Sequence, residues 1–171
     1  MKLSFEQLIA PILALKPRGE ILLETVPAPQ KLAPHALAMT ADVLEDAATG
    51  RFVLLHDPAS QEGWGGQWRC VTFARSAIDL EMASDPLLPE IGWAWLLEAL
   101  KKNNCEFISP SGTVTRVASA SFGALADREE DSEMEIRASW TPNDGENLLS
   151  HVNAWLELLA MAAGLEPIPQ G

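Results

Sequence analysis

The sequence predicts an α+β domain in which an antiparallel sheet of about five strands carries three helices, in the order α-β-β-β-α-β-β-α. Three observations carry that expectation. Segments 85–100 and 146–163 repeat apolar residues at helical spacing. Residues 133–140 alternate, with Met134, Ile136, Ala138 and Trp140 opposite Glu133, Glu135, Arg137 and Ser139, which is the period of a half-buried strand. Between residues 36 and 78, three strand-like runs are joined by turn-forming segments, the signature of a meander.

Taken in order, Ser4-Phe5-Glu6-Gln7 reads as a capping box that opens a helix over 4–15. Pro11 lacks a backbone donor and should kink that helix or split it, and Lys16-Pro17-Arg18-Gly19 ends it. The strap 17–35, with Pro17, Pro27, Pro29 and Pro34, is expected to run extended while Ile21-Leu22-Leu23 docks on the core. Strands follow at 36–44, 51–56 and 67–78, separated by a turn at 46–50 and an exposed loop at 57–66.

The second helix, 85–100, takes Asp85 as N-cap and Pro86 in its first turn, and Lys101 and Lys102 suit its C-terminal end. Its apolar residues run round most of the circumference: Leu88, Ile91, Trp95 and Ala99 on one side, Trp93, Leu97 and Leu100 on the other. One sheet face cannot cover both, so either the rest of the chain or another chain must. Two strands at 113–118 and 133–140 flank a charged hairpin tip, Asp127-Arg128-Glu129-Glu130-Asp131. In the last helix, 146–163, Leu148, Val152, Trp155, Leu159 and Ala163 share a side, and Gly164 stops it.

The 171 residues suit one domain spanning 1–171. A chain of that size buries roughly 70% of its unfolded surface and can build a core without help. A hydrophobic share of 47% excludes general disorder. Twenty-four acidic residues against 12 basic give a charge of -12, which repels phosphate backbones and anionic membrane surfaces. No run of apolar residues is long enough to span a bilayer, and Glu6, Gln7 and Pro11 interrupt any signal core. The expectation is a cytoplasmic protein with no direct nucleic-acid or membrane partner. Cys70 and Cys105 form no CxxC motif and read as small buried thiols.

No strong catalytic motif is present. His35, His56 and His151 lie in no metal-binding spacing, so neither a metal nor a cofactor is expected. His56-Asp57 with Ser60 resembles parts of a nucleophilic site, yet adjacent residues on a strand point to opposite faces, and Asp57-Pro58 reads as a turn. Gly63-Trp64-Gly65-Gly66 is not followed by Lys-Ser/Thr, so it reads as a flexible loop whose Trp64, if exposed, is a contact residue. Arg51, Arg69, Arg75, Arg116 and Arg137 all fall on predicted strands, and Arg69 and Arg75 share a face. They either build a local positive field or pair with Glu133 and Glu135.

Five strings carry a family likeness: Pro27 to Pro34, Thr49 to Pro58, Asp85 to Leu96, Ser111 to Arg116 and Arg137 to Pro142. Together they resemble the actinobacterial domain-of-unknown-function family numbered three thousand, and the likeness covers nearly the whole chain. The resemblance implies a bacterial cytoplasmic protein and carries over no catalytic or binding residue. The order of elements is also similar to that of secretion-chaperone-like α+β domains, which are small, often acidic and dimeric, and bind unfolded partner segments. Two functions follow as expectations. The first is a non-enzymatic interaction module, self-associating or holding a partner protein segment through a helix face or sheet edge, with Trp64, Trp93, Trp95 and Leu97 as contacts. The second is a small-molecule-binding protein or enzyme with His56, Asp57, Arg69 and Arg116 gathered in one pocket.

Overall fold

The computed structural model describes residues 3–168. Helix α1 (Phe5–Leu13) starts as the capping box requires, with the Ser4 hydroxyl accepting from the Gln7 N–H at 3.1 Å and Gln7 Oε1 accepting from the Ser4 N–H at 2.8 Å. Pro11 does not split it. Proline forfeits a single backbone bond there, while Ile9 and Ile12 are buried and hold both turns on the core.

Six strands follow: β1 (Ile21–Val26), β2 (His35–Val43), β3 (Ala48–His56), β4 (Trp68–Ala77), β5 (Phe107–Ser119) and β6 (Asp131–Pro142). All neighbours are antiparallel, in the order β1-β2-β3-β4-β6-β5. The α+β class and the antiparallel meander stand, but among the described residues the sheet has six strands rather than five and the α-helices number four rather than three. The added strand is β1, inside the proline-rich strap. Pro17 and Pro27 flank it, so the residues from Ile21 to Val26 keep their amides and pair with β2 from Ile21↔Val43 to Val26↔Ala38.

The added helix is one turn, α2 (Leu80–Ala83), whose Asp79 carboxylate accepts from the Met82 N–H at 2.7 Å. Helix α3 (Leu88–Lys102) starts later than expected. Asp85 is spent on a turn before it, its side chain accepting from the Leu87 N–H at 2.9 Å and its carbonyl from the Leu88 N–H at 3.1 Å. The β2–β3 reversal also comes earlier than expected, through Leu44, Glu45 and Asp46 at φ 50°, 50° and 85°. The Asp42 carboxylate accepts from the Asp46 N–H at 2.7 Å and secures it. Thr49 and Gly50 therefore belong to β3, where a Cβ on Gly50 would lie 2.7 Å from the Phe73 carbonyl oxygen.

Helix α4 (Leu148–Ala162) ends before Gly164 at φ 78°, the left-handed conformation glycine adopts freely. It packs across β3 and β4 and against α1, and α3 lies between α4 and the β5–β6 side of the sheet. Phe52, Leu54, Cys70, Ile136 and Trp140 point from the sheet into this helix layer, and Trp155 meets them with its ring 5.5 Å from Phe52. Burying side chains of this size contributes roughly 1.5–3 kcal/mol each.

The opposite face of the sheet has a smaller core. Ala38, Val53 and Leu55 are covered by Trp64, with Val26, Ala28 and Ala33 alongside. Trp64 is therefore 9% exposed, not an open contact residue. Trp93 and Trp95 are half-buried and both pack on the main core, so each side of α3 is partly covered within the chain. Leu97, 38% exposed, keeps the most open apolar surface among the expected contacts.

Candidate functional site

One end of the sheet carries an aromatic group and a hollow. The register opposes His56 to Trp68, whose rings lie 4.2 Å apart, and Phe5 from α1 stacks 5.2 Å from His35 and 6.1 Å from Trp68. Beside them is a hollow of about 580 Å³, within the range that holds small ligands. Phe5, Leu8, Trp68 and Ile108 supply apolar walls, and Asn143, Asp144 and Glu146 form a polar rim.

Local chain chemistry shapes that rim. Asp144 closes a tight turn by accepting from the Glu146 N–H at 2.8 Å. Between them, Gly145 lies so close to Trp68 that a Cβ there would sit 2.9 Å from the indole ring. A second hollow of about 210 Å³ shares Asp144 and Glu146 and adds Glu106 and His151. His151 is 2% exposed, and burial pushes its pKa down to about 4 against a smaller opposing pull from Asp144. It is neutral at physiological pH.

The residues expected to form a ligand pocket are not gathered there. His56 lines the large hollow, but Asp57 is engaged in a turn, its carboxylate accepting from the Ala59 N–H at 2.9 Å and from Gln61 Nε2 at 3.1 Å. The Ser60 hydroxyl donates to the Gly66 carbonyl at 2.7 Å. Arg116 donates to the Asp85 carbonyl at the start of α3.

Arg69 lies on the sheet face away from the helix layer, 8% exposed. Its guanidinium donates to the Ser109 carbonyl at 2.8 Å, Thr141 Oγ1 at 3.0 Å, Ser139 Oγ at 2.8 Å and Ser111 Oγ at 3.3 Å. Burial lowers its pKa, against a small opposing influence of Cys70. Thr141 passes the network on by donating to the Trp64 carbonyl at 2.6 Å. Arg69 thus binds the start of β5, the end of β6 and the Trp64 loop together.

Two of the other strand arginines, Arg75 and Arg137, make ion pairs with Glu133 and Glu135. Arg75 bridges Glu133 at 2.7 Å and Asp46 at 3.3 Å, which raises its own pKa and holds the Glu133 carboxyl below its ordinary range. Arg137 pairs with Glu135 at 2.9 Å and lies 4.8 Å over the Phe73 ring. Among the described residues, no group of three or more His, Cys, Asp and Glu is arranged to hold a metal ion, and no helix is long and apolar enough to cross a membrane.

A third feature is β5 itself, an edge strand of 13 residues. Only Phe107, Val114 and Val117 in it are partly covered. From Ser111 to Ser119 it holds no proline and a single charge, Arg116. The loop after it exposes Phe122 at 80% and Leu125 at 48%. Sequence reasoning does not find Phe5, Trp68, Asp144 and Glu146 as neighbours, because the strand pairing and the α1–α4 contact that assemble them leave no local spacing.

Fold and surfaces define a helix-covered antiparallel α+β protein with one aromatic hollow and one long open strand edge. The chain belongs to the family described as Protein of unknown function (DUF3000), which it matches over residues 2–171. Comparison with curated proteins and with solved structures gives no match.

Proposed function

We propose that this protein is a non-enzymatic interaction module that holds an extended segment of a partner protein along β5. The observation that carries this reading is the edge from Ser111 to Ser119, exposed, β-prone and nearly uncharged. Open strand edges normally carry lysines, prolines or a short length that discourages pairing. Here Pro110 and the register shift between Ile108 and Ser111 protect only the first residues, while the rest keeps a regular pairing with β6. An added strand would gain main-chain hydrogen bonds, with Phe122 and Leu125 beyond the strand end as apolar anchors.

The helix-face version of this function has less support. Trp93 and Trp95 are engaged in the core of their own chain, Trp64 is buried, and Leu97 stands alone. Likewise, the four residues of the small-molecule alternative do not converge. The edge reading is tested by placing charges on exposed β5 positions, T113K and T115K, in the full chain. Affinity capture from the native cell should recover a specific protein with the wild type and lose it with the double variant, while cooperative unfolding is retained. Capture unaffected by the variant would overturn the edge as the docking element. Light scattering separates the occupants, because a dimer abolished by the same variant identifies the added strand as β5 of a second copy.

A further inference from the structure

We propose that the hollow beside Trp68 binds a small organic cation, an ammonium group carrying an apolar or aromatic body. This site lies at the sheet end where β3 and β6 finish, away from the β5 segment of the proposed docking edge, and stands independently of that reading. Its volume of about 580 Å³ holds a body of one or two rings. Phe5, Leu8, Trp68 and Ile108 give that body apolar contact.

The charge at the mouth decides the class. Asp144 and Glu146 line the hollow together with His56, Glu106 lines the neighbouring one, and among the described residues neither is lined by a lysine or an arginine. His151, which lines the second hollow with Glu106, Asp144 and Glu146, is buried and neutral and adds no positive charge. An anionic ligand would meet two carboxylates with no lysine or arginine among the described lining residues to oppose them. A neutral one would leave their field unused. An ammonium placed at the rim would be drawn by the charge of both carboxylates, and the aromatic lining attracts cations further.

The test uses the full chain and benzyltrimethylammonium as probe, compared with its uncharged isostere neopentylbenzene and with phenylacetate. Calorimetry should show saturable binding of the cation at one site per chain, weaker binding of the isostere and none of phenylacetate. Amide shifts in nuclear magnetic resonance spectra should move at Gly65, Gly66 and 143–146. The double variant D144N/E146Q should weaken the cation by about tenfold or more, while leaving the isostere unchanged. The amide oxygen of Asn at 144 still accepts from the residue 146 N–H, so the turn is kept. Absence of saturable cation binding, shifts confined to another surface, or equal affinity of the double variant would each overturn the proposal.

Discussion

The indole nitrogen of Trp140 donates a hydrogen bond to Nδ1 of His151 at 2.9 Å, with both residues buried. Because Nδ1 accepts, its lone pair is committed and the imidazole is held neutral with its proton on Nε2. Protonation would set a second donor against the indole N–H.

Stability should therefore fall on mild acidification. The His151 pKa is about 4 in the fold against an ordinary 6.5, so between those values the unfolded chain takes up a proton that the folded chain refuses. The contribution is complete above pH 6.5 and is lost as the pH falls toward 4, by roughly 3 kcal/mol in total. His151→Gln keeps an acceptor for Trp140 and removes the titration. Urea unfolding at pH 7 and pH 4.5 should show a larger loss for the wild type than for this variant, since the carboxylates titrate in both.

Removing the Arg69 guanidinium should loosen the start of β5. Arg69→Met leaves four oxygen acceptors without their donor and is expected to cost about 2–3 kcal/mol. Arg69→Lys should rescue little, because an ammonium cannot span that fork. Chemical denaturation gives the energy, and faster amide exchange around Ser109 and Ser111 would locate it.

Gly112→Ala tests the seat of α3 on the sheet. A Cβ there meets the Arg137 carbonyl oxygen and lies 2.8 Å from the Trp93 ring. Backbone on one side cannot yield, so the expected loss is ~1–3 kcal/mol, with a change in near-ultraviolet circular dichroism as Trp93 shifts. An unchanged melting temperature would contradict this packing.

The two thiols should differ in reactivity. Burial raises the Cys70 thiol well above its ordinary pKa and raises Cys105, half-buried and 3.6 Å from Ser150 Oγ, less strongly. Alkylation of the native protein followed by mass spectrometry should label Cys105 slowly and Cys70 only on unfolding.

Elements with a strong local signal are legible in the amino-acid sequence. The capping box at Ser4, the alternation through Trp140 and the stop at Gly164 each depend on residues within one turn or one strand. β1 is not legible in this way, because its six residues lie between prolines and become a strand only by pairing with β2. The α2 turn escapes because it is shorter than the periodicity of a helix can register.

What the sequence determined by itself is the α+β class, the meander, the apolar α3 and α4, and an acidic chain of charge -12. The tertiary structure alone decided that both tryptophans of α3 pack part of their surface on the core of their own chain. It also decided that Trp64 is buried, that Arg69 holds strands together, and that Trp68 meets Gly145 at a hollow. Hydrophobic periodicity reports which side of an element avoids water, and is silent on which partner provides the shelter. That choice is made by contacts between residues far apart in the chain.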